Sequence, residues 1–140
     1  MSAARASAAA PLLLVEDDRD LREVLAESLR LEGYEVLEAV DGADAVARLR
    51  SGARPALVLL DLVMPRMDGR QVVAAMRADA ALSGIPVVLV TGTPPRDLDG
   101  QVEAILRKPV GLAALCGCIE RFIRPSPAER PGGAAALSRS

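Results

Sequence analysis

The chain has 140 residues, 51% of them hydrophobic, and a formal net charge of −2. That length fits one domain with a real core, and the even mix of signs leaves no basic footprint for nucleic acid and no polybasic patch for a membrane. Apolar runs are too short to cross a bilayer. Tyr34 and Phe122 are the only aromatics, so the core is aliphatic, and no histidine is present to act as base, metal ligand or phosphocarrier.

Residues 1–11 are Ala/Ser-rich and lack the apolar stretch of a signal peptide, so they read as a flexible lead on a cytoplasmic protein. Leu12–Val15 is a short apolar strand ending at Glu16, Asp17 and Asp18. Asp20 is a helix-start signal, and Leu21, Val24, Leu25 and Leu29 recur at helical spacing until Gly33 closes the helix. Val36, Leu37 and Ala39 suggest a second strand. Asp41-Gly42 reads as a turn, and Ala43, Val46, Ala47 and Leu49 as a second helix. Ala56–Leu60 is continuously apolar, as in a strand buried on both faces. A loop with Pro65 and Gly69 leads to a helix carrying Val72, Val73 and Met76. Ile85–Val90 is the fourth strand and Ala104–Arg107 the fifth. Leu112, Leu115, Cys116, Ile119, Phe122 and Ile123 make the clearest helical stripe. Cys116 lies on it, with Cys118 facing elsewhere. Residues 125–140, rich in Pro, Gly, Ala and Ser, read as a disordered tail.

Alternating strands and helices specify an open parallel sheet with helices on both faces, and ligands bind such sheets at the carboxyl ends of the strands. Glu16 and Asp17, Asp61, Thr91 and Lys108 all stand at such ends. Crowded carboxylates raise one another's pKa and cost stability. A bound cation removes that cost, and hard oxygen ligands suit Mg²⁺. Asp17 and Asp61 are the candidate direct ligands, the Val63 backbone carbonyl a third, with Glu16 holding a metal-bound water. Asp61, closing a fully apolar run, is placed to accept a phosphoryl group while the metal screens the repulsion between two anions. Thr91 offers a hydroxyl to a phosphoryl oxygen. Lys108 is the only lysine in the chain, and its compact ammonium would pair first with Asp61 and then with phosphoryl oxygens. Pro109 suits a rigid loop after it, with a cis bond as one way to fix the position. Taken singly, each residue has an ordinary reading: a solvated loop, a strand end, a strand former, a surface lysine. The ordered set is the specific signal.

Leu14-Val15-Glu16-Asp17-Asp18, the stretch Leu59-Leu60-Asp61-Leu62-Val63-Met64-Pro65-Arg66-Met67-Asp68-Gly69, Val90-Thr91-Gly92 and Lys108-Pro109 together resemble the receiver domain of bacterial two-component response regulators, from about Leu12 to Ile123. The resemblance implies a flavodoxin-like (βα)5 fold, α/β class, strand order 2-1-3-4-5, with the receiver domain over 12–124. It implies Asp61 as the phosphorylated aspartate, Glu16 and Asp17 as the acidic pocket, Thr91 as the switch hydroxyl and Lys108 as the family's lysine. The phosphoryl donor would be a histidine on a sensor kinase or a phosphotransfer protein, and a chain without histidine fits the acceptor role. This implies a signalling domain rather than an enzyme.

Departures from that pattern are visible. Ile105 stands where receivers usually place Tyr or Phe, and Val110 where Phe often follows the Lys-Pro pair. The stretch from Thr91 to Lys108 is short and contains Pro94, Pro95 and Gly100, so the fourth helix is expected to be shortened, irregular or absent. The family's usual dimerisation face is then altered, and a monomer is expected. With no effector domain legible after Ile123, the reading is a stand-alone receiver that binds a downstream protein or relays phosphate, with no nucleic acid or membrane partner. Three alternatives remain. One is a receiver-like binding module that is never phosphorylated. Another is an aspartyl-phosphate hydrolase, which Val63 disfavours because it stands where a general acid is needed. The last is a flavin carrier, whose phosphate the acidic first loop would repel.

Overall fold

Five parallel strands form one sheet in the order β2-β1-β3-β4-β5. The computed structural model describes residues 10–64, 67–92, 95, 97–98 and 100–123; the expectations for the N-terminal lead before residue 10 and for the tail lie outside them. The strands are β1 (Leu12–Val15), β2 (Val36–Ala39), β3 (Leu57–Asp61), β4 (Val87–Thr91) and β5 (Ala104–Arg107). The helices are α1 (Arg19–Leu31), α2 (Gly42–Arg50), α3 (Gly69–Ala78) and α4 (Leu112–Phe122).

Side chains alternate across each strand, and here both faces are apolar. Leu13, Val15, Val58, Leu60, Val87 and Leu89 pack under α2 and α3. Leu12, Leu14, Leu57, Leu59 and Val88 pack under α1 and α4. That two-sided burial is why β1 and β3 read as unbroken apolar runs.

Several boundaries differ from the sequence expectation. The α1 cap is Asp18, whose carboxylate accepts from Leu21 N at 3.1 Å; Asp20 lies in the first turn, where an acid meets the positive end of the helix dipole. Asp41 is a helix cap rather than part of a free turn, accepting from Asp44 N at 2.8 Å. Strand β4 starts at Val87 rather than Ile85, since Pro86 has no N–H for the ladder, although its carbonyl still accepts from Val58 N. Strand β3 runs on to include Asp61. The stripe on α1 is also rotated: Val24 is 62% exposed, while Arg22, Ala26 and Leu29 are buried. Cys118 is buried alongside Cys116 in the α1/α4 core rather than facing away from it.

Among the described residues, no helix lies between β4 and β5. A turn takes its place, with Leu98 plugged into the α2/α3 core and Gly100 at φ 88°, a left-handed conformation that glycine adopts freely. Arg77, at the end of α3, braces this turn. It donates to the Gln101 carbonyl of the turn at 2.8 Å, and to the carbonyls of Ser83 and Ile85, in the connection before β4, at 2.9 and 3.1 Å.

Candidate functional site

Chain direction brings the carboxyl ends of β1, β3, β4 and β5 to one edge. Register pairs Val15 with Leu60 and Asp61 with Val90, while Thr91 pairs with Arg107. One residue further along β1 and β5 lie Glu16 and Lys108. Glu16 is 4% exposed, Asp61 9% and Thr91 0%.

The Lys108 ammonium donates to Asp61 Oδ2 at 3.1 Å and to Glu16 Oε1 at 3.4 Å. Its own N–H bonds the Thr91 carbonyl at 2.9 Å, and the Lys108–Pro109 peptide is cis. Glu16 Oε2 accepts from Asp18 N at 3.0 Å, and Asp61 Oδ1 accepts from Val63 N at 3.3 Å. The loop after Asp61 folds back tightly: Gly69 N donates to the Leu62 carbonyl at 2.8 Å. A Cβ on Gly69 would lie 2.8 Å from Leu62 Cα and 2.9 Å from the Asp61 carbonyl oxygen. Only a residue without a side chain lets α3 start against the backbone of the acceptor strand.

Burial holds the Glu16 carboxyl above its ordinary range; the Asp18 N–H opposes this, the Asp61 charge adds to it, and Lys108 opposes it. Burial alone would pull Lys108 down. The hydrogen bond and charge of Asp61, with Glu16 behind them, outweigh that and hold the ammonium above its ordinary pKa.

One oxygen each from Glu16, Asp17 and Asp61 lies within 4.8 Å of the others. This all-oxygen, anionic donor set fits a small hard divalent cation. Val63 is 70% exposed beside it. The structure thus gathers Glu16, Asp17, Asp61 and Lys108 in one pocket, with buried Thr91 on the adjoining strand end.

Sequence reasoning missed Arg22. Its Nη1 donates to the Glu16 carbonyl at 2.8 Å, and its Nε meets Glu38 Oε1 at 3.3 Å. The available signal was helical phase: Arg22 leads Ala26 and Leu29 by four and seven residues, on the face that turns out to be buried.

Residues 12–120 match the family model described as the response regulator receiver domain. The chain is 36% identical over 118 residues to the transcriptional regulatory protein PrrA of Mycobacterium tuberculosis, covering 81% of this chain and 49% of that protein. It therefore spans about half the length of that relative. Among solved structures, it resembles the Vibrio cholerae chemotaxis protein CheY4, with TM-score 0.74 and 28% identity over 82% of this chain and 99% of the other. It also resembles the phosphorylated cyanobacterial phytochrome response regulator RcpA, with TM-score 0.67 and 31% identity over 81% and 91% of the two chains. The fold, with its 2-1-3-4-5 sheet, is that of the receivers, and the chain belongs to the response regulator receiver domain family of two-component signalling.

Proposed function

We propose that this domain accepts a phosphoryl group on Asp61 from the phosphohistidine of a sensor kinase or phosphotransfer protein. It would then signal by binding a downstream protein or by passing the group onward. The observation that carries this reading is the Asp61 carboxylate, held on one oxygen by Lys108 and on the other by the Val63 N–H, within an acidic cluster. An Asp61 oxygen attacks phosphorus as the P–N bond to the donor imidazole breaks, and the imidazole leaves with the bonding pair and takes up a proton. Glu16, Asp17, Asp61 and the Val63 carbonyl would hold Mg²⁺, which when bound supplies charge neutralisation between nucleophile and phosphoryl oxygens. Lys108 is within reach to follow the phosphoryl oxygens, with Thr91 as the hydroxyl donor. The domain acts as a monomeric phosphoacceptor rather than as an enzyme on a separate substrate, since Val63 offers no proton to a leaving group.

A donor protein that reaches Asp61 also covers the adjoining apolar groove of about 430 Å³, lined by Leu21, Leu25, Val90, Lys108, Pro109 and Val110. Such a surface suits a partner with an apolar helix face. The rival reading, a binding module that is never phosphorylated, draws on Ile105. This aliphatic side chain packs against the α2/α3 core where an aromatic switch would turn.

Intact mass after incubation with Mg²⁺ and acetyl phosphate decides between them. A phosphoryl adduct on wild type that is missing from Asp61→Asn is expected. No adduct on wild type, even with candidate kinases added, would leave the constitutive module as the surviving reading.

A further inference from the structure

We propose that Arg22 is a positioning residue of this site: its guanidinium clamps the Glu16–Asp17 peptide and so aims the Asp17 carboxylate into the acidic pocket. The inference rests on the metal site proposed above. Arg22 is 9% exposed, and burying a guanidinium is costly unless it is paired and hydrogen-bonded. Its Nη1 spends its bond on the Glu16 carbonyl at 2.8 Å. That oxygen shares a rigid plane with the Asp17 nitrogen and Cα, so holding it sets the direction in which Asp17 leaves the sheet.

Glu16 is anchored independently by its N–H to the Ala39 carbonyl and by its carboxylate to Asp18 N and Lys108. Among the described residues, no hydrogen bond holds the Asp17 carboxylate, although an oxygen of it lies in the cluster. Its aim therefore depends on the peptide before it. The clamp is itself braced. Glu38 Oε1 meets Arg22 Nε at 3.3 Å, and Glu38 Oε2 meets Arg30 Nη2 at 3.2 Å. Arg30 in turn donates to the Val36 carbonyl at 2.8 Å.

Charge and geometry make opposite forecasts for metal binding. Removing a cation near the pocket strengthens Mg²⁺ affinity through simple electrostatics, whereas loosening Asp17 weakens it. Titration calorimetry of Mg²⁺ without phosphodonor is the test, on wild type, Arg22→Met, Arg22→Lys and Glu38→Gln, followed by acetyl phosphate uptake at saturating Mg²⁺. Arg22→Met is expected to weaken Mg²⁺ binding by about tenfold, the scale at which partners that orient a ligand act. Arg22→Lys recovers part of the loss, and Glu38→Gln shows a smaller one. Uptake at saturating metal should recover to near wild type. Tighter or unchanged affinity in Arg22→Met overturns the proposal, an unchanged value with a lower melting temperature marking a purely structural brace. If Arg22→Met does not fold, the Lys and Glu38→Gln variants decide in the same way. Wild type that binds no Mg²⁺ brings down the proposed metal site and this inference with it. Wild-type binding with unaltered variants sinks this inference alone.

Discussion

Glu16 is the pocket side chain whose charge burial opposes most directly. Its folded-state pKa is raised above the ordinary 4.5 by burial and by Asp61, so the folded protein binds this proton more tightly than the unfolded chain does. The linked stability is present below the unfolded pKa and is lost as pH rises through the folded value. Glu16→Gln is therefore expected to raise the melting temperature at neutral pH without divalent metal, by about 4 °C for each kcal/mol relieved in a domain of this size. The gain should fade toward pH 4.5 and below, and calorimetric melts across that range check it. Lys108 is raised against an ordinary 10.5, so its contribution is full at neutral pH and is lost only as pH climbs through its elevated folded value. That the acids and the lysine meet was legible in the sequence because each closes an apolar run. The Arg22 clamp was not, because an arginine beside Leu21 reads as the polar edge of a helix until the burial of Ala26 and Leu29 shows which face turns inward.

Element by element, the segment between β4 and β5 carries no helix among the described residues, and a short run with two prolines and a glycine announced it. The sequence did not show what would replace the helix. Arg77 holds that segment from the neighbouring α3, bonding the Gln101 carbonyl and meeting Glu103 Oε1 at 3.5 Å, and it also bonds the Ser83 and Ile85 carbonyls before β4. The same Glu103 oxygen accepts from Val87 N at 2.6 Å, so one carboxylate ties both the start of β4 and the end of α3 to the lead into β5. Arg77→Ala removes three largely exposed bonds and is expected to cost about 2–3 kcal/mol, at about 1 kcal/mol for each. Urea unfolding should show the lower midpoint with little change in slope. Acetyl phosphate uptake should stay near wild type, because Arg77 touches none of the pocket residues. The other boundary shifts have local causes. Pro86 delays β4, and Asp18 outcompetes Asp20 as a cap because its carboxylate lies within reach of Leu21 N.

Across the described residues, the sheet order and two-sided core follow from the alternation of apolar runs and helices, which is why the strand-and-helix order was legible. Helix phase and loop bracing were not, since they depend on which face finally meets the sheet. No helix among the described residues is long and apolar enough to cross a membrane. If the acidic cluster holds Mg²⁺, the metal stabilises the folded state by mass action, about 2.7 kcal/mol at a hundredfold excess over its dissociation constant. Thermal melts with and without Mg²⁺ should show that upward shift. EDTA should remove it, and Asp17→Ala should nearly abolish it; an unchanged wild-type melt would count against the site. The Lys108 bridge between Glu16 and Asp61 then has a consequence for how the domain is read. Three carboxylates and one ammonium leave the edge two negative charges in excess; a bound divalent cation would cancel both, and a phosphoryl dianion on Asp61 would restore one. The three states thus differ in electric potential before any backbone atom moves, and a partner sensitive to potential can tell them apart on a domain whose Ile105 gives it no ring to turn.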